Sequence, residues 1–186
     1  MLKTLKLTLI LFLVGAVLGP TMDGFHTHSD TLFYPHVWLL KMDWWVPFLF
    51  GGAGVAVGLS HLDLDLRLGK DYLDLTWVHV AFGMASFAAI YFISGFLKID
   101  ETRKVVLLYT LAFLVWYIYD KTYSGLLLAL VTAVLGTFSE ISLIAADWFY
   151  YTHPDFLGVP YWLPALYVAA SVAVGNFARK MSRTIN

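Results

Sequence analysis

Long apolar stretches separated by short polar segments dominate the chain. A helix needs roughly 20 apolar residues to cross the hydrocarbon core of a bilayer. Six stretches approach or reach that length: Lys6–Gly19, Trp44–Leu62, Leu75–Leu97, Val105–Tyr119, Gly125–Phe149 and Tyr161–Arg179. The pattern predicts an all-α, polytopic membrane protein whose six transmembrane helices form one compact bundle. Because these stretches use most of the chain, residues 1–186 are predicted to be a single domain, and Pro20 is expected to end the first helix.

Composition agrees with a lipid environment. The chain has 186 residues, of which 60% are hydrophobic, 17% aromatic and only 13% charged, whereas soluble domains carry about 25% charged residues. The net charge of −1 argues against nucleic-acid binding through a basic face. The absence of cysteine excludes disulfides, thiolate metal sites and thiol catalysis.

The distribution of lysine and arginine predicts the orientation, since these residues are enriched on the cytoplasmic side. With six spans, the side that holds both termini carries Lys3, Lys6, Arg67, Lys70, Lys121, Arg179, Lys180 and Arg183. The other side carries Lys41, Lys98, Arg103 and Lys104. Both termini are therefore predicted to be cytoplasmic.

Small residues recur along several spans, where they allow helices to approach closely in lipid. The second span carries Gly51, Gly52, Ala53, Gly54, Ala56 and Gly58. Such faces are typical of packing within one bundle, and they permit a homo-oligomer equally well. The sequence is not expected to contain an internal repeat.

Three sequence blocks form a recognisable pattern. They are Trp44–Pro47 followed by the glycine-rich run to Leu59, Trp116–Gly125, and Thr152–Leu157 continuing through Trp162–Pro164 to Asn176. In this order and spacing they resemble the insulin-induced gene (Insig) family of six-span membrane proteins. The resemblance covers roughly Thr31 to the C-terminus, and Phe48 to Phe50 depart from the animal members. A distant, bacterial-like member is expected.

The resemblance implies a function as well as a fold. Known members of the family are not enzymes; they bind sterols and neighbouring membrane proteins, which they hold in the endoplasmic reticulum. It implies a regulator that binds a sterol or another neutral lipid, such as diacylglycerol, and that associates with membrane proteins. No cofactor beyond a bound lipid is expected. The location would be the cell membrane in a prokaryote and the endoplasmic reticulum in a eukaryote.

Asp120 closes the fourth span, immediately before Lys121. In the family, the aspartate of this motif is required for partner binding, so the resemblance implies a partner-binding role for Asp120. The alternative is a hydrated interfacial carboxylate, or one paired with Lys121, which would contribute at most about 1 kcal/mol.

Glu140 is the most unusual residue on physical grounds, because it lies near the middle of the fifth span. An acidic side chain there costs roughly 3 kcal/mol on insertion scales and usually faces the bundle interior. Asp147 follows seven residues later, on the same predicted helical face. A protonated Glu140 is expected to donate a hydrogen bond to the hydroxyl or carbonyl of a lipid, and the equal alternative is a packing hydrogen bond to Ser or Thr on a neighbouring helix.

Lipid sites in bundles are apolar cavities with few polar groups. Trp45, Phe82, Phe87 and Trp116 are candidates to line one together with Glu140, although each could equally pack against a neighbouring helix or face lipid.

The segment Asp23–Asp30, DGFHTHSD, contains two histidines and two aspartates. His26 and His28 could place two imidazoles near one metal ion. The preferred interpretation is a polar turn that begins at Asp23-Gly24, so no metal site is predicted. Two other functions remain as alternatives: a metal-dependent intramembrane enzyme using His26 and His28, and a small transporter using Glu140.

Overall fold

The computed structural model describes residues 2–68 and 75–185, and Lys70 of the orientation argument lies outside them. It confirms the all-α class. The helices are α1 (Leu2–His28), α2 (Val46–Leu68), α3 (Trp77–Phe96), α4 (Glu101–Tyr119), α5 (Tyr123–Ala145) and α6 (Leu163–Thr184). Two short strands, β1 (Leu32–Phe33) and β2 (Tyr150–Tyr151), pair antiparallel in the two longest connections that are described.

Helix α6 is the central helix of the bundle and packs against all five others. Helices α1 to α5 are each long and apolar enough to cross a membrane, whereas α6 is less apolar. Ala169 and Val172 in the middle of α6 have no exposed surface. Because its neighbours shield α6 from lipid, this helix can carry polar residues that a lipid-facing span would exclude.

The first helix is longer than predicted. It passes through Pro20 and ends at His28, so the expectation that Pro20 ends it is wrong. Pro20 is buried, and the hydroxyl of Thr21 donates to the carbonyl of Val17 at 2.7 Å. Packing against neighbours and such side-chain bonds allow transmembrane helices to contain proline. The predicted turn at Asp23-Gly24 is also wrong, since both residues lie within the helix.

The fifth helix is shorter than predicted. It begins after Thr122, whose side chain caps it by accepting from the backbone N–H of Gly125 at 2.9 Å. It ends at Ala145, and Asp147 follows with a left-handed backbone at φ 62°. Asp147 is exposed and accepts from the hydroxyl of Tyr150 at 2.7 Å. It therefore does not share a helical face with Glu140, contrary to the prediction.

Helices α1–α2 (the first hairpin) and α5–α6 (the second hairpin) are two copies of one structural unit. A constant offset of 117 residues takes His28, the end of α1, to Ala145, the end of α5, and takes Val46, the start of α2, to Leu163, the start of α6. The same offset relates the residues with positive φ: Asp30 to Asp147, Leu40 to Leu157, and Lys41 to Gly158.

Contacts within and between the hairpins repeat as well. A Cβ on Gly19 would meet the ring of Phe50, and a Cβ on Gly136 would meet the ring of Tyr167, which are equivalent pairs. In the strand pair, Phe33 lies opposite its own equivalent, Tyr150. Pairing of equivalent positions is the signature of an approximate two-fold axis. Both hairpins run in the same direction, and α3–α4 is inserted between them.

The expectation that the sequence contains no internal repeat is therefore wrong. The letters VGAVLG at 14–19 correspond to VTAVLG at 131–136, and WVPFL at 45–49 corresponds to WLPAL at 162–166. VAVG occurs at both 55–58 and 172–175. The repeat is hard to detect from hydropathy, because all the spans are apolar and the two copies are separated by the α3–α4 insertion.

Candidate functional site

Among the described residues, polar side chains cluster near each end of the bundle. The terminal end holds both chain termini, where Leu7 of α1 packs with Ala178 and Ile185. The β end holds the β1–β2 pair. Each cluster joins residues from several helices.

Arg179 organises the cluster at the terminal end. Its guanidinium donates to both carboxylate oxygens of Asp65 on α2, at 2.7 and 3.0 Å, and to Asp120 at the end of α4, at 2.8 Å. The side chains of Arg179 and Asp65 are 3% and 5% exposed, so water screens this network little. Ser124 at the start of α5 also donates to Asp65, at 2.7 Å. The network ties α2, α4, α5 and α6 together.

Asp120 lies within this network rather than at a hydrated surface. Besides Arg179, it accepts from the backbone N–H of Thr122 at 3.0 Å and from the Thr122 hydroxyl. The alternative pairing with Lys121 is wrong, because Lys121 Nζ lies over the ring of Tyr117, 4.4 Å from its centroid. Asp120 therefore fixes the α4–α5 turn, and no part of its side chain is exposed.

The cluster at the β end contains two acid–tyrosine units, each formed by a carboxylate and the hydroxyl of a connection tyrosine. Tyr34 donates to Asp23 at 2.5 Å, and Tyr151 donates to Glu140 at 2.7 Å. Asp23 and Glu140 are related by the offset of 117 residues, as are Tyr34 and Tyr151. Each hairpin thus carries one acid in its first helix and one tyrosine in its connection.

A second tyrosine completes each unit. Tyr91 of α3 donates to the other oxygen of Asp23 at 3.4 Å, and Tyr167 of α6 donates to the other oxygen of Glu140 at 2.5 Å. Both oxygens of each carboxylate therefore accept a hydrogen bond. The partners of Glu140 are tyrosines, not the serines or threonines that the packing alternative predicts.

The connection tyrosines remain hydrogen-bond donors over the whole neutral range. Burial, together with the nearby carboxylate of Asp23, raises the pKa of Tyr34 well above its usual value near 10. Burial, together with Glu140, raises the pKa of Tyr151 in the same way. Because both hydroxyls keep their protons, they can serve as permanent donors to the two acids.

The two units differ in how they are covered. Asp23 is 3% exposed and lies beneath α3, which packs against α1. Glu140 is only partly buried. Helix α5 has no comparable neighbour within the described residues, and just 11% of its most apolar stretch is buried. Glu140 is therefore the more accessible of the two acids.

Two of the five residues predicted to line a lipid site contact the Asp23 unit rather than the Glu140 unit. The ring of Trp45 meets that of Tyr34, with centroids 5.8 Å apart, and Phe87 meets Tyr91 at 5.7 Å. Phe82 is 61% exposed on the outer face of α3. Trp116 lies at the terminal end, where its indole N–H donates to the carbonyl of Thr122 at 3.3 Å.

The histidines of DGFHTHSD do not converge. His26 is buried, hydrogen-bonds to the hydroxyl of Ser94 at 2.7 Å and stacks on Tyr91. His28 is exposed and hydrogen-bonds to the carbonyl of Gly24 at 2.7 Å. Residues two apart on a helix do not face each other. No three potential metal-ligating side chains cluster within residues 2–68 and 75–185.

A small cleft lined by both polar and apolar residues opens at the β end. Its volume is about 220 Å³, and Tyr34 of the first acid–tyrosine unit forms part of its wall. The other lining residues are Thr27, Asp30, Leu32, Phe33, Val37, Lys41 and Thr152. This cleft is not the apolar cavity between helices that a lipid site requires.

Sequence reasoning missed the partners of the predicted site residues. Arg179 enters the sequence analysis only as a positive charge in the orientation argument, and Asp65 does not enter it. Their pairing depends on how the helices pack. Tyr34 and Tyr151 carry a signal that could have been used. They occupy equivalent positions of the repeat, each eleven residues after an acid.

Comparison with known proteins identifies the family. The family model for insulin-induced protein (INSIG) matches residues 6–182. The chain belongs to the Insig family. It is 34% identical over 181 residues to insulin-induced gene 1 protein of Danio rerio, covering 94% of this chain and 71% of that protein. It is 32% identical over 187 residues to the Homo sapiens protein of that name, covering 97% of this chain and 67% of that one.

Solved structures show the same fold. A mycobacterial Insig homologue, MvINS from Mycobacterium vanbaalenii, has a TM-score of 0.83 and 24% identity, covering 93% of this chain and 92% of its own. A cross-linked MvINS trimer has a TM-score of 0.86 and 24% identity, with 97% of each chain covered. The Insig resemblance in the sequence is thereby confirmed, and this chain is a multi-pass membrane protein of the Insig family.

Proposed function

We propose that this Insig-family chain is a non-enzymatic regulator that binds a neutral lipid bearing a free hydroxyl, a sterol or diacylglycerol, with Glu140 as its polar anchor. The observation that carries the proposal is the geometry of Glu140. Its carboxylate is held by two tyrosine hydroxyls, carries no cationic partner among the described contacts, and is only partly buried on the helix with the most lipid-exposed surface.

The hydrogen bonds define what the anchor can accept. A carboxylate offers about four lone-pair positions, and the two tyrosines fill one on each oxygen. The remaining positions accept a further donor, such as a lipid hydroxyl. Because Tyr151 and Tyr167 fix the carboxylate, little side-chain entropy is lost when the lipid binds.

The direct test measures lipids that remain bound after purification in mild detergent, by mass spectrometry. The unaltered protein is expected to retain one neutral lipid class near one molecule per chain. Glu140→Leu leaves the buried lipid hydroxyl without its hydrogen-bond partner, which costs about 1–3 kcal/mol. Retention of that lipid should fall roughly tenfold or more, since 1.4 kcal/mol is a factor of ten.

The matched control is Glu101→Gln, which alters an exposed acid paired with Lys104 at the start of α4. It should leave lipid retention unchanged. Equal retention by Glu140→Leu and the unaltered chain would contradict the role of Glu140. A lipid profile identical to that of the bulk membrane would contradict lipid binding altogether.

The proposal includes association with membrane-protein partners, in which Asp120 takes part. Asp120 has no exposed side-chain surface, so it would act by holding the α4–α5 turn through Arg179 and Thr122 rather than by touching a partner. The orientation we propose has both termini in the cytoplasm, as the lysine and arginine distribution predicts. The corresponding membrane is the cell membrane in a prokaryote or the endoplasmic reticulum in a eukaryote.

Self-association is also part of the proposed function. The structural relative MvINS was crystallised as a cross-linked trimer, and that relative shares the fold over 97% of this chain. The small-residue face of α2 offers a surface on which helices of two chains could approach closely.

A further inference from the structure

The internal repeat reveals a face that is covered in one hairpin and bare in the other. The inserted helices α3 and α4 both pack against α6, and α3 also packs against α1. The equivalent position on the other side of the approximate two-fold axis is the groove between α2 and α5. Within the described residues, no helix packs there as α3 and α4 pack against α6.

Exposure of equivalent residues shows the contrast. Leu166 and Ala169 on α6 are 2% and 0% exposed, whereas their equivalents on α2, Leu49 and Gly52, are both exposed, Leu49 by 42%. Ala173 on α6 is buried and its equivalent Ala56 is exposed. The same surface therefore occurs in two copies, but within residues 2–68 and 75–185 only one copy is covered by a helix.

The bare copy has the form of a helix-docking surface. Gly52 and Ala56 are four residues apart on α2, the spacing at which small residues let two transmembrane helices approach. A Cβ added to Gly52 would meet nothing within 4 Å, so the space above it is open. Across the groove, α5 presents exposed apolar side chains that include Val131 and Leu135.

We propose that the α2–α5 groove is the surface on which a second copy of this chain docks, through one of its lipid-facing helices. The inference rests on the self-association part of the proposed function and names the surface responsible. Two observations favour a second copy: the equivalent face is filled by helices of the same chain, and the structural relative MvINS was crystallised as a cross-linked trimer. The helix that docks cannot be α3 through its inner face, since α6 already occupies that face.

The test changes the floor of the groove without disturbing the single chain. Gly52→Leu places a side chain in open space, and helix propensity favours leucine over glycine by nearly 1 kcal/mol. The fold of the single chain should therefore be unaffected, which its thermal unfolding and circular dichroism report. Native mass spectrometry in mild detergent should show oligomers of the unaltered chain and at least a tenfold weaker association for Gly52→Leu.

Two variants complete the design. Ala56→Leu should weaken association as Gly52→Leu does, because it fills the same groove. Gly52→Ala is the matched control: it changes the same position but keeps a small residue there, so association should be retained. An unaltered chain that is monomeric in both detergent and bilayer nanodiscs would overturn the proposal, and so would an oligomer that survives Gly52→Leu and Ala56→Leu.

Measuring bound lipid in the same samples distinguishes a loss of self-association from a loss of lipid binding. Loss of oligomers with lipid retention intact would support the groove as the self-association surface. Oligomers that depend on Gly52 but carry no enriched lipid would also support it, and would contradict only the lipid part of the proposed function.

Discussion

The first and second hairpins share one architecture but differ in what covers them. Each carries an acid in its first helix and a tyrosine in its connection, in Asp23–Tyr34 and Glu140–Tyr151. Helix α3 covers the first unit and leaves the second open. The insertion of α3–α4 beside only one hairpin therefore leaves the two equivalent acids unequally covered, with Asp23 buried and Glu140 only partly buried.

The two hairpins also differ at the terminal end, where each has a charged residue at a position that is neutral in the other. Arg179 on α6 corresponds to Leu62 on α2, and Asp65 on α2 corresponds to Ser182 on α6. These substitutions create a buried ion pair between the two copies. Two identical hairpins could not form this ion pair, because each would lack one of the two charges. The pair therefore specifies how the hairpins dock, as complementary charges do at other helix interfaces.

The largest expected effect comes from Arg179→Leu, which gives α6 the residue that α2 has at the equivalent position. Removing the guanidinium leaves Asp65 and Asp120 buried without a cation. Breaking a buried pair in this way costs about 3–5 kcal/mol. The variant should unfold at a much lower temperature, measured by the loss of helical circular dichroism in one detergent.

The control for Arg179→Leu is Arg67→Leu. Arg67 pairs with Asp63 on the surface of α2, and the two side chains are 72% and 61% exposed. Exposed pairs contribute about 0–1 kcal/mol, so the control should unfold close to the unaltered protein. Equal effects of the two substitutions would contradict the claim that the Arg179 network locks the hairpins together.

The second comparison sets Asp23→Leu against Glu140→Leu, the equivalent change in each hairpin. Loss of Asp23 leaves the hydroxyls of Tyr34 and Tyr91 buried without their acceptor, at a cost of roughly 2 kcal/mol. Loss of Glu140 also frees two hydroxyls, but it removes an acid from the last turns of a helix that is mostly exposed to lipid, where an acidic side chain is itself unfavourable. Glu140→Leu should therefore change the free energy of unfolding by less than about 1 kcal/mol.

Thermal unfolding of both variants in lipid-free detergent measures this difference. Their bound lipid gives the complementary result: only Glu140→Leu should lower lipid retention. Equal losses of stability in the two variants would contradict the distinction between Asp23 as a buried structural acid and Glu140 as a partly buried binding acid.

The sequence predicts the helices and the family more fully than it predicts the polar clusters. Hydropathy locates six helices because lipid imposes a strong compositional constraint. It cannot show that α1 continues past Pro20, since that depends on packing around a buried proline. Nor can one sequence pair Asp65 with Arg179, which are 114 residues apart. The equivalence of the two acids and of the two tyrosines could be predicted from the sequence, because VxAVLG and VAVG each occur twice at the same offset.

The smallest expected effect concerns the tight turns in the two connections. Leu39 bridges to Met42, and Phe156 bridges to Val159, so the turn residues are Leu40-Lys41 in one copy and Leu157-Gly158 in the other. Lys41 has φ 57° and Gly158 has φ 87°. A left-handed backbone destabilises a residue with a side chain by roughly 1–2 kcal/mol. Glycine avoids that cost, but it loses more conformational entropy on folding, which destabilises the folded state by about 0.5–1 kcal/mol.

Lys41→Gly should therefore stabilise the protein by about 0.5 kcal/mol. The reverse type of change, Gly158→Ala, should destabilise it by more than about 1 kcal/mol, because its Cβ would also lie 2.8 Å from Ile144 Cγ2. Opposite shifts of the unfolding temperature in one detergent would show that the second copy holds the relaxed form of the turn and the first copy the strained one. Shifts of the same sign would mean that the side chain of Lys41, which lines the cleft at the β end, contributes more to stability than the strain of its backbone removes.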